Sequence, residues 1–172
     1  MIIGAAGGVG TFAVQLAKAF GAEVTGVCST TKLDLVHSIG ADHVIDYTRD
    51  DFADGVRRYD LILDTAGNRS LSHLRRALTP RGTLVIVGGE GGGRWFGVGR
   101  QLRAIMLSPL VGQRLHMYIA TVRKADLQFL RELIEAGKVT PVIDRMYPLS
   151  EVPDAIRYLH EGHARGKVVI TV

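Results

Sequence analysis

Residues 1–20 read MIIGAAGGVGTFAVQLAKAF: a β-branched run, a cluster of glycines and then a helical pattern. The apolar side chains after the cluster recur with a helical repeat, which places one set of residues on a single face: Val9, Phe12, Ala13, Leu16, Ala17 and Phe20. Gly21 is suited to end that helix, because glycine adopts the left-handed conformation at low cost. This stretch therefore predicts a strand, a glycine-rich turn and a helix in succession.

Strand and helix patterns alternate along the rest of the chain. Strand patterns cover residues 23–27, 44–45, 61–63, 83–87, 115–121 and 168–172. Helix patterns cover residues 30–39, 50–58, 68–78, 101–107, 124–136 and 152–160, with Asn68 and Ser150 as candidate N-caps. Strands that alternate with helices favour a parallel sheet covered on both sides. The sequence predicts an α/β fold, a doubly wound parallel sheet (Rossmann) with six main strands and helices on both faces.

The composition restricts the class of protein. The 172 residues fit one domain, and 47% of them are hydrophobic, which is enough for a core. No apolar run approaches the ~20 residues that a membrane helix needs, so we expect no membrane partner. The net charge of +4 suits an anionic cofactor. The basic residues are scattered along the chain instead of forming one run, so no nucleic-acid partner is expected.

Cys28 is the sole cysteine of the sequence, which rules out an internal disulfide. A reducing compartment is the default for such a chain, and we expect the cytoplasm. A structural zinc site needs a set of Cys or His ligands, but one cysteine is present and the histidines show no metal-ligand spacing. We therefore expect no metal site, and in particular no zinc, in this chain.

The glycine cluster is the strongest chemical signal. A dinucleotide pyrophosphate binds where a glycine turn lets the backbone approach it, at the positive end of a helix dipole. Gly7 would permit that approach and Gly10 would permit close packing of helix and sheet, so Gly7, Gly8, Val9 and Gly10 are candidate cofactor residues. The match to the G-x-G-x-x-G pattern is partial, because Ala5 stands at its first glycine. A glycine-rich turn without a ligand is the alternative.

The end of the second predicted strand indicates which dinucleotide is bound. NAD-binding versions of the fold place an acid there, ~20 residues beyond the glycines, to accept hydrogen bonds from the ribose. Residues 27–32 read VCSTTK, and the first acid is Asp34. Ser29, Thr30 and Lys32 instead offer hydroxyls and a positive charge to a 2′-phosphate, which favours NADP over NAD. Alternatively, Ser29 or Thr30 caps the next helix and Lys32 is solvated; both roles can coexist.

Motifs along nearly the whole chain resemble a known family. They are the glycine cluster at residues 4–10, AVQLAK at 13–18, GADHVIDY at 40–47, DTAG at 64–67, GTLV at 82–85 and RGKVV at 165–169. In series they resemble the cofactor-binding domain of the medium-chain dehydrogenase/reductase superfamily, which includes quinone oxidoreductases and zinc-type alcohol dehydrogenases. The resemblance implies an NADP-dependent oxidoreductase that transfers hydride to a small carbonyl, quinone or enone.

The resemblance also implies roles for particular residues. Gly7, Gly8 and Val9 would meet the pyrophosphate, and Ser29, Lys32 and Tyr47 would hold the 2′-phosphate. Two strand ends would lie near the adenosine and the nicotinamide ribose: Thr65, Ala66 and Gly67, and Val87, Gly88 and Gly89. A surface tyrosine at Tyr47 and a plain loop at Gly88 and Gly89 are the alternatives.

Members of the superfamily place a catalytic domain before this one, and the resemblance implies that this chain lacks it. Residues 1–137 would form the dinucleotide-binding domain, and residues 138–172 would return toward the absent domain. The catalytic residues are then unknown, and the isolated chain is expected to be inactive. The alternative is a truncated dinucleotide-binding module without turnover. The superfamily also suggests a homodimer that pairs through the edge strand at residues 115–121.

Overall fold

A computed structural model describes residues 1–87, 111–118 and 120–172. In those ranges six strands form one parallel sheet in the order β3-β2-β1-β4-β5-β6. The strands are β1 (Ile2–Ile3), β2 (Thr25–Cys28), β3 (His43–Asp46), β4 (Tyr59–Asp64), β5 (Leu78–Ile86) and β6 (Arg114–Met117). The order reverses beside β1, where such sheets open a crevice for ligands. The doubly wound parallel sheet predicted from the sequence is confirmed.

Five α-helices connect or flank the strands in the described ranges. They are α1 (Gly10–Ala19), α2 (Leu33–Ser38), α3 (Leu71–Arg76), α4 (Lys124–Glu135) and α5 (Val152–His160). A 3₁₀ turn at Thr30–Lys32 precedes α2. None of the described helices is long and apolar enough to cross a membrane.

Successive residues of a strand point to opposite sides of a sheet, and at β1 the side chains on both sides are buried. Ile2 packs in a cluster with Val14 of α1 and Val36 of α2. Ile3 packs on the other side in a cluster with Leu74 of α3 and Ile62. Helices therefore lie on both sides of the sheet at β1, as is usual for a parallel sheet.

Two predicted helices differ from the structure. Residues 50–58 form turns instead of a helix, because the carboxylates of Asp51 and Asp54 accept hydrogen bonds from the backbone N–H groups two residues on. The helix predicted at 68–78 is limited to α3, and its cap is Ser70, whose side chain accepts from the His73 N–H. The chain leaves α3 early because Leu78 already pairs with Tyr59 in the sheet.

The predicted cap at Ser150 is also wrong. A 3₁₀ turn spans Leu149–Glu151, and Glu151 stands at the N-cap of α5 without a side-chain hydrogen bond. Pro153, in the first turn of α5, fits there because its missing N–H would have no helical partner. The helix predicted at residues 101–107 lies outside the described ranges.

The C-terminal segment forms a small unit that packs against α1. Strands β7 (Ile143–Pro148) and β8 (Lys167–Thr171) pair in parallel, with α5 between them along the chain. The Gln15 amide holds this unit through two hydrogen bonds with Thr140, one to its N–H at 2.7 Å and one to its C=O at 2.9 Å. The Gly166 N–H donates to the Ala6 carbonyl at 2.9 Å. These bonds tie the C-terminal unit to the rest of the chain. The predicted division near residue 137 stays a prediction.

Candidate functional site

A cavity of about 310 Å³ opens at the carboxyl ends of β1, β2 and β4. This volume lies at the lower end of the range for small-molecule sites. Most of the candidate cofactor residues line it: Gly7, Gly8, Val9, Ser29, Lys32, Tyr47, Thr65 and Ala66. The position is the one where doubly wound sheets bind nucleotides. The structure therefore brings together residues that the sequence separates by almost sixty positions.

The turn after β1 is held by very close packing. Gly4 has φ +79°, and a Cβ at that position would lie 2.6 Å from the Thr65 Oγ1. A Cβ on Gly10 would lie 2.1 Å from the Gly4 carbonyl oxygen. Gly10 is buried and is absent from the cavity lining, so it acts by letting α1 approach the turn.

Gly7, Gly8 and Val9 border the cavity immediately before the first turn of α1. A Cβ on Gly7 would meet only the Gly4 carbonyl oxygen, at an ordinary 3.4 Å, so the space beside Gly7 is open. The start of a ten-residue helix carries the positive end of its dipole. The turn thus combines an accessible backbone with a favourable potential for an anion.

Two cations line the end of the cavity near β2 and β3. The Lys32 Nζ donates to the Ala164 carbonyl at 3.1 Å. Arg69 lies with its guanidinium carbon 5.6 Å from the centre of the Tyr47 ring. No Asp or Glu is among the described residues that line the cavity. The electrostatic character of this end therefore favours a negatively charged group.

Burial lowers the pKa of the Lys32 ammonium below its ordinary value, and the charge of Arg165 lowers it further. Asp144 and Cys28 act in the opposite direction. One hydrogen bond to the Ala164 carbonyl leaves two of the three ammonium protons available for other acceptors. Lys32 is thus a half-buried cation with spare donors that face a cavity.

Thr30 does not join the other candidates. Its hydroxyl donates to the buried carboxylate of Asp46, and it is absent from the cavity lining. Asp46 also accepts from the Thr48 N–H at 3.0 Å and from the Thr48 hydroxyl at 2.7 Å. The hydrogen bond from Thr30, followed by those from Thr48, keeps the pKa of Asp46 below its ordinary value. Thr30 therefore holds Asp46, and its predicted contact with a cofactor stays a prediction.

The turn after β4 is organised by a buried acid. Asp64 is 0% exposed, and its Oδ1 accepts from the backbone N–H groups of Ala66 at 3.2 Å and Gly67 at 3.0 Å. Gly67 has φ +75°, a left-handed backbone conformation that glycine adopts at no steric cost. The Val87 N–H donates to the Asp64 carbonyl at 2.9 Å. Gly67 and Val87 are absent from the cavity lining, and Gly88 and Gly89 lie outside the described residues.

A family model described as zinc-binding dehydrogenase matches residues 39–170. The chain belongs to this family. NAD(P)H oxidoreductase RTN4IP1, mitochondrial, of Mus musculus is 39% identical and covers 100% of this chain and 47% of that relative. NADPH-dependent alkenal/one oxidoreductase, chloroplastic, of Arabidopsis thaliana is 36% identical over 99% of this chain and 39% of that relative.

Solved structures agree with this assignment. The quinone oxidoreductase from Coxiella burnetii superposes with a TM-score of 0.84 and 27% identity, over 99% of this chain and 51% of that one. The chain spans about half the length of the curated relatives it matches. This coverage fits the cofactor-binding half of a medium-chain dehydrogenase/reductase, and the resemblance identified from the sequence is confirmed.

The description of this family names zinc, but the described residues do not fit a zinc site. No group of three or more His, Cys, Asp or Glu side chains comes together in them to hold a metal ion. Cys28 is 3% exposed, and burial raises its pKa to about 11, with the charge of Asp46 adding to the effect. A cysteine binds zinc as a thiolate, and this thiol strongly favours its proton. The absence of zinc from this chain stays a prediction.

We expect the Cys28 thiol to resist alkylation by iodoacetamide at pH 8, because the thiolate is the nucleophile and this pKa keeps it scarce. Since the folded pKa lies above the ordinary value, the protonated thiol favours the folded state below pH ~9, and that stability is lost as the pH rises toward 11. The measurement is labelling followed by mass spectrometry, with the urea-unfolded chain as the control. Equal labelling rates for the folded and the unfolded chain would contradict the expectation.

Sequence reasoning missed several residues that line the cavity of this family member. They include Gly4, Phe52, Asn68, Arg69, Gly162 and Ala164. Gly4 could have been found from its place at the end of a strand. Arg69 belongs to no charge pattern in the sequence that would single it out. Ala164 comes from the C-terminal unit, far along the chain from the glycine turn. For these residues only the tertiary structure supplies the signal.

Proposed function

We propose that the cavity binds NADPH and that the chain forms the cofactor-binding part of an oxidoreductase. The proposal rests on the lining of this cavity. An open glycine turn borders one side, Lys32 and Arg69 border the other, and no acid is among the described lining residues. An NADP site needs a place for a pyrophosphate and a cationic place for a 2′-phosphate. The cavity offers both.

The pyrophosphate would lie against Gly7, Gly8 and Val9. Side chains are missing at the two glycines, so phosphate oxygens are proposed to approach the backbone N–H groups at the start of α1, apart from that of Gly7, which donates to the Gly4 carbonyl at 3.0 Å. Thr65 and Ala66 border the same cavity from β4 and are proposed to lie beside the ribose. This arrangement serves NAD and NADP equally.

The 2′-phosphate would lie at Lys32, with Ser29 and Tyr47 beside it. An acid at the end of β2 would repel this phosphate, and that position is held by Cys28 and Ser29 instead. The negative charge of Asp46 is engaged by Thr30 and Thr48 and lies outside the lining. A phosphate beside Lys32 would also supply negative charge that offsets its burial and the repulsion from Arg165.

When bound, NADPH supplies a hydride to an acceptor. We propose a small carbonyl, quinone or enone as that acceptor, since relatives carry the names quinone oxidoreductase and alkenal/one oxidoreductase. The part of this chain is to hold and orient the cofactor, and the described residues identify no catalytic group. A module that binds the dinucleotide without turnover is the second candidate, because the chain spans about half of its relatives.

The test is a fluorescence titration of the purified 172-residue chain with NADPH and with NADH. We expect NADPH to bind at least about tenfold more tightly, which corresponds to one charge-assisted hydrogen bond. Equal affinities would contradict the 2′-phosphate assignment while keeping a dinucleotide site. Binding of neither would contradict the proposal. Consumption of bound NADPH on addition of a quinone or enone separates an enzyme from a binding module.

Two further proposals concern assembly and compartment. We propose a homodimer through β6, which is the terminal strand among those described and spans Arg114–Met117 rather than all of the predicted residues 115–121. We also propose the cytoplasm, on the ground of a single reduced cysteine, although two relatives are named mitochondrial and chloroplastic. Light scattering and cell fractionation test these proposals.

A further inference from the structure

The C-terminal unit reaches into the cavity near the proposed phosphate position. Gly162 and Ala164, in the loop between α5 and β8, belong to the cavity lining. The Ala164 carbonyl accepts from the Lys32 Nζ at 3.1 Å, across 132 positions of sequence. A surface lysine samples many rotamers, and fixing one costs entropy. The loop therefore holds the Lys32 ammonium at one place along the cavity wall.

The loop itself is held by one carboxylate. The Asp144 Oδ2, at the start of β7, accepts from the Arg165 N–H at 2.9 Å and from the Tyr158 hydroxyl at 2.6 Å. The hydrogen bond to Asp144 raises the pKa of the Tyr158 phenol, so it remains a donor at neutral pH. Asp144 thus links α5, the loop and β7 immediately beside Ala164.

A second anchor fixes the far end of the loop. The Gly166 N–H donates to the Ala6 carbonyl, and Gly166 has φ +97°. A Cβ at Gly166 would lie 2.4 Å from the Val142 carbonyl oxygen. The loop is therefore pinned at Gly166 by close packing and at Arg165 by Asp144, which leaves the Ala164 carbonyl little freedom.

From this chain of contacts we infer that Asp144 is a positioning residue for NADPH selection: it orders the loop whose Ala164 carbonyl holds Lys32 toward the 2′-phosphate. The inference rests on the proposed function, because it concerns the same cavity and the same lysine. It gives the C-terminal unit a role in cofactor selection, which the residues of the glycine turn do not have. Asp144 touches neither end of the proposed cofactor path and acts through the loop.

The sign of the effect distinguishes positioning from plain electrostatics. Asp144 carries a negative charge, so its removal would strengthen the binding of a phosphate if only direct repulsion between the two anions mattered. Its charge also raises the pKa of Lys32, and Asp144→Asn, which loses that charge but keeps an acceptor oxygen, separates this effect from positioning. If it positions the loop, Asp144→Ala weakens NADPH binding, by about three- to tenfold, because a hydrogen-bonded anchor is lost. NADH lacks the 2′-phosphate and is expected to bind Asp144→Ala within about twofold of the unaltered chain. Asp144→Asn keeps an acceptor oxygen and is expected to bind NADPH nearly as the unaltered chain does.

The experiment is calorimetric titration of the full chain with NADPH and NADH for Asp144→Ala, Asp144→Asn, Lys32→Ala and the double variant Lys32→Ala/Asp144→Ala. If Asp144 acts through Lys32, its removal has no further effect on NADPH affinity in the Lys32→Ala background. Asp154→Ala is the matched control, since Asp154 is an exposed carboxylate of α5 that pairs with Arg157 away from the loop. It is expected to leave both affinities unchanged.

Tighter NADPH binding by Asp144→Ala, no change, or an equal loss for both cofactors overturns the inference. If Asp144→Ala fails to fold, Tyr158→Phe decides the question, because it removes one hydroxyl and is expected to weaken NADPH alone by about two- to threefold. Unchanged affinity for both cofactors in Tyr158→Phe would then reject the inference. If Lys32→Ala itself leaves NADPH binding intact, the proposed 2′-phosphate site fails as well. A loss in Lys32→Ala without a loss in Asp144→Ala rejects the inference alone.

Discussion

Lys32→Glu is expected to weaken NADPH binding by about 10- to 100-fold and to leave NADH binding nearly unchanged, so that the chain loses its cofactor preference. The substitution removes the ammonium donor at the proposed 2′-phosphate position and replaces it with a charge of the same sign as the phosphate. No acid is among the described residues that line the cavity, so this glutamate would be the first there. The measurement is a pair of titrations at fixed ionic strength.

The control for this prediction is Lys138→Glu, which makes the same change of charge at an exposed residue outside the cofactor cavity. Because the net charge of both variants is equal, long-range attraction of the anionic cofactor is matched between them. A loss of NADPH affinity no larger in Lys32→Glu than in Lys138→Glu would mean that Lys32 makes no direct contact. An equal loss for NADH would place Lys32 at the pyrophosphate instead.

The second large effect is expected for Gly10→Ala, which should lower the free energy of unfolding by about 3–5 kcal/mol. The added methyl group would lie 2.1 Å from the Gly4 carbonyl oxygen and 2.7 Å from the Ala5 carbonyl carbon. Both neighbours are backbone atoms of the turn, so α1 would have to move away from the sheet. Urea unfolding followed by circular dichroism measures the change.

Gly7→Ala is the matched substitution three residues earlier. Its methyl group would meet only the Gly4 carbonyl oxygen, at 3.4 Å, so the free energy of unfolding should change by less than about 1 kcal/mol. The methyl group would stand where the pyrophosphate is proposed to approach, and NADPH binding should weaken. Similar stability losses for the two variants would contradict the different roles given to these glycines.

The part of the fold that could be predicted from the sequence is the part set by local patterns. The helical repeat from Val9 to Phe20 corresponds to α1, which ends one residue before Phe20. The alternation of strands and helices predicted a parallel sheet, and Ile2 and Ile3 do pack on opposite faces. The helix predicted at residues 50–58 was wrong because the side chains of Asp51 and Asp54 bond their own backbone, which helix periodicity does not register.

The candidate site divides in the same way. Gly7, Gly8 and Lys32 follow from motifs and spacing, and all three line the cavity. The partner of Lys32 could not be predicted, because Ala164 lies 132 residues away and contributes only a backbone carbonyl. Thr30 was grouped with Ser29 from the sequence, but a bond to Asp46 on the neighbouring strand takes its hydroxyl elsewhere. Spacing along a chain gives proximity to a strand end but not the direction of each side chain.

We propose that the β2 end of the cavity recognises a 2′-phosphate. The most direct test is calorimetric titration of the chain with adenosine 2′,5′-bisphosphate and with adenosine 5′-monophosphate, which differ by that phosphate alone. We expect the bisphosphate to bind at least about tenfold more tightly and Lys32→Ala to remove most of the difference. Equal affinities for the two nucleotides would contradict it.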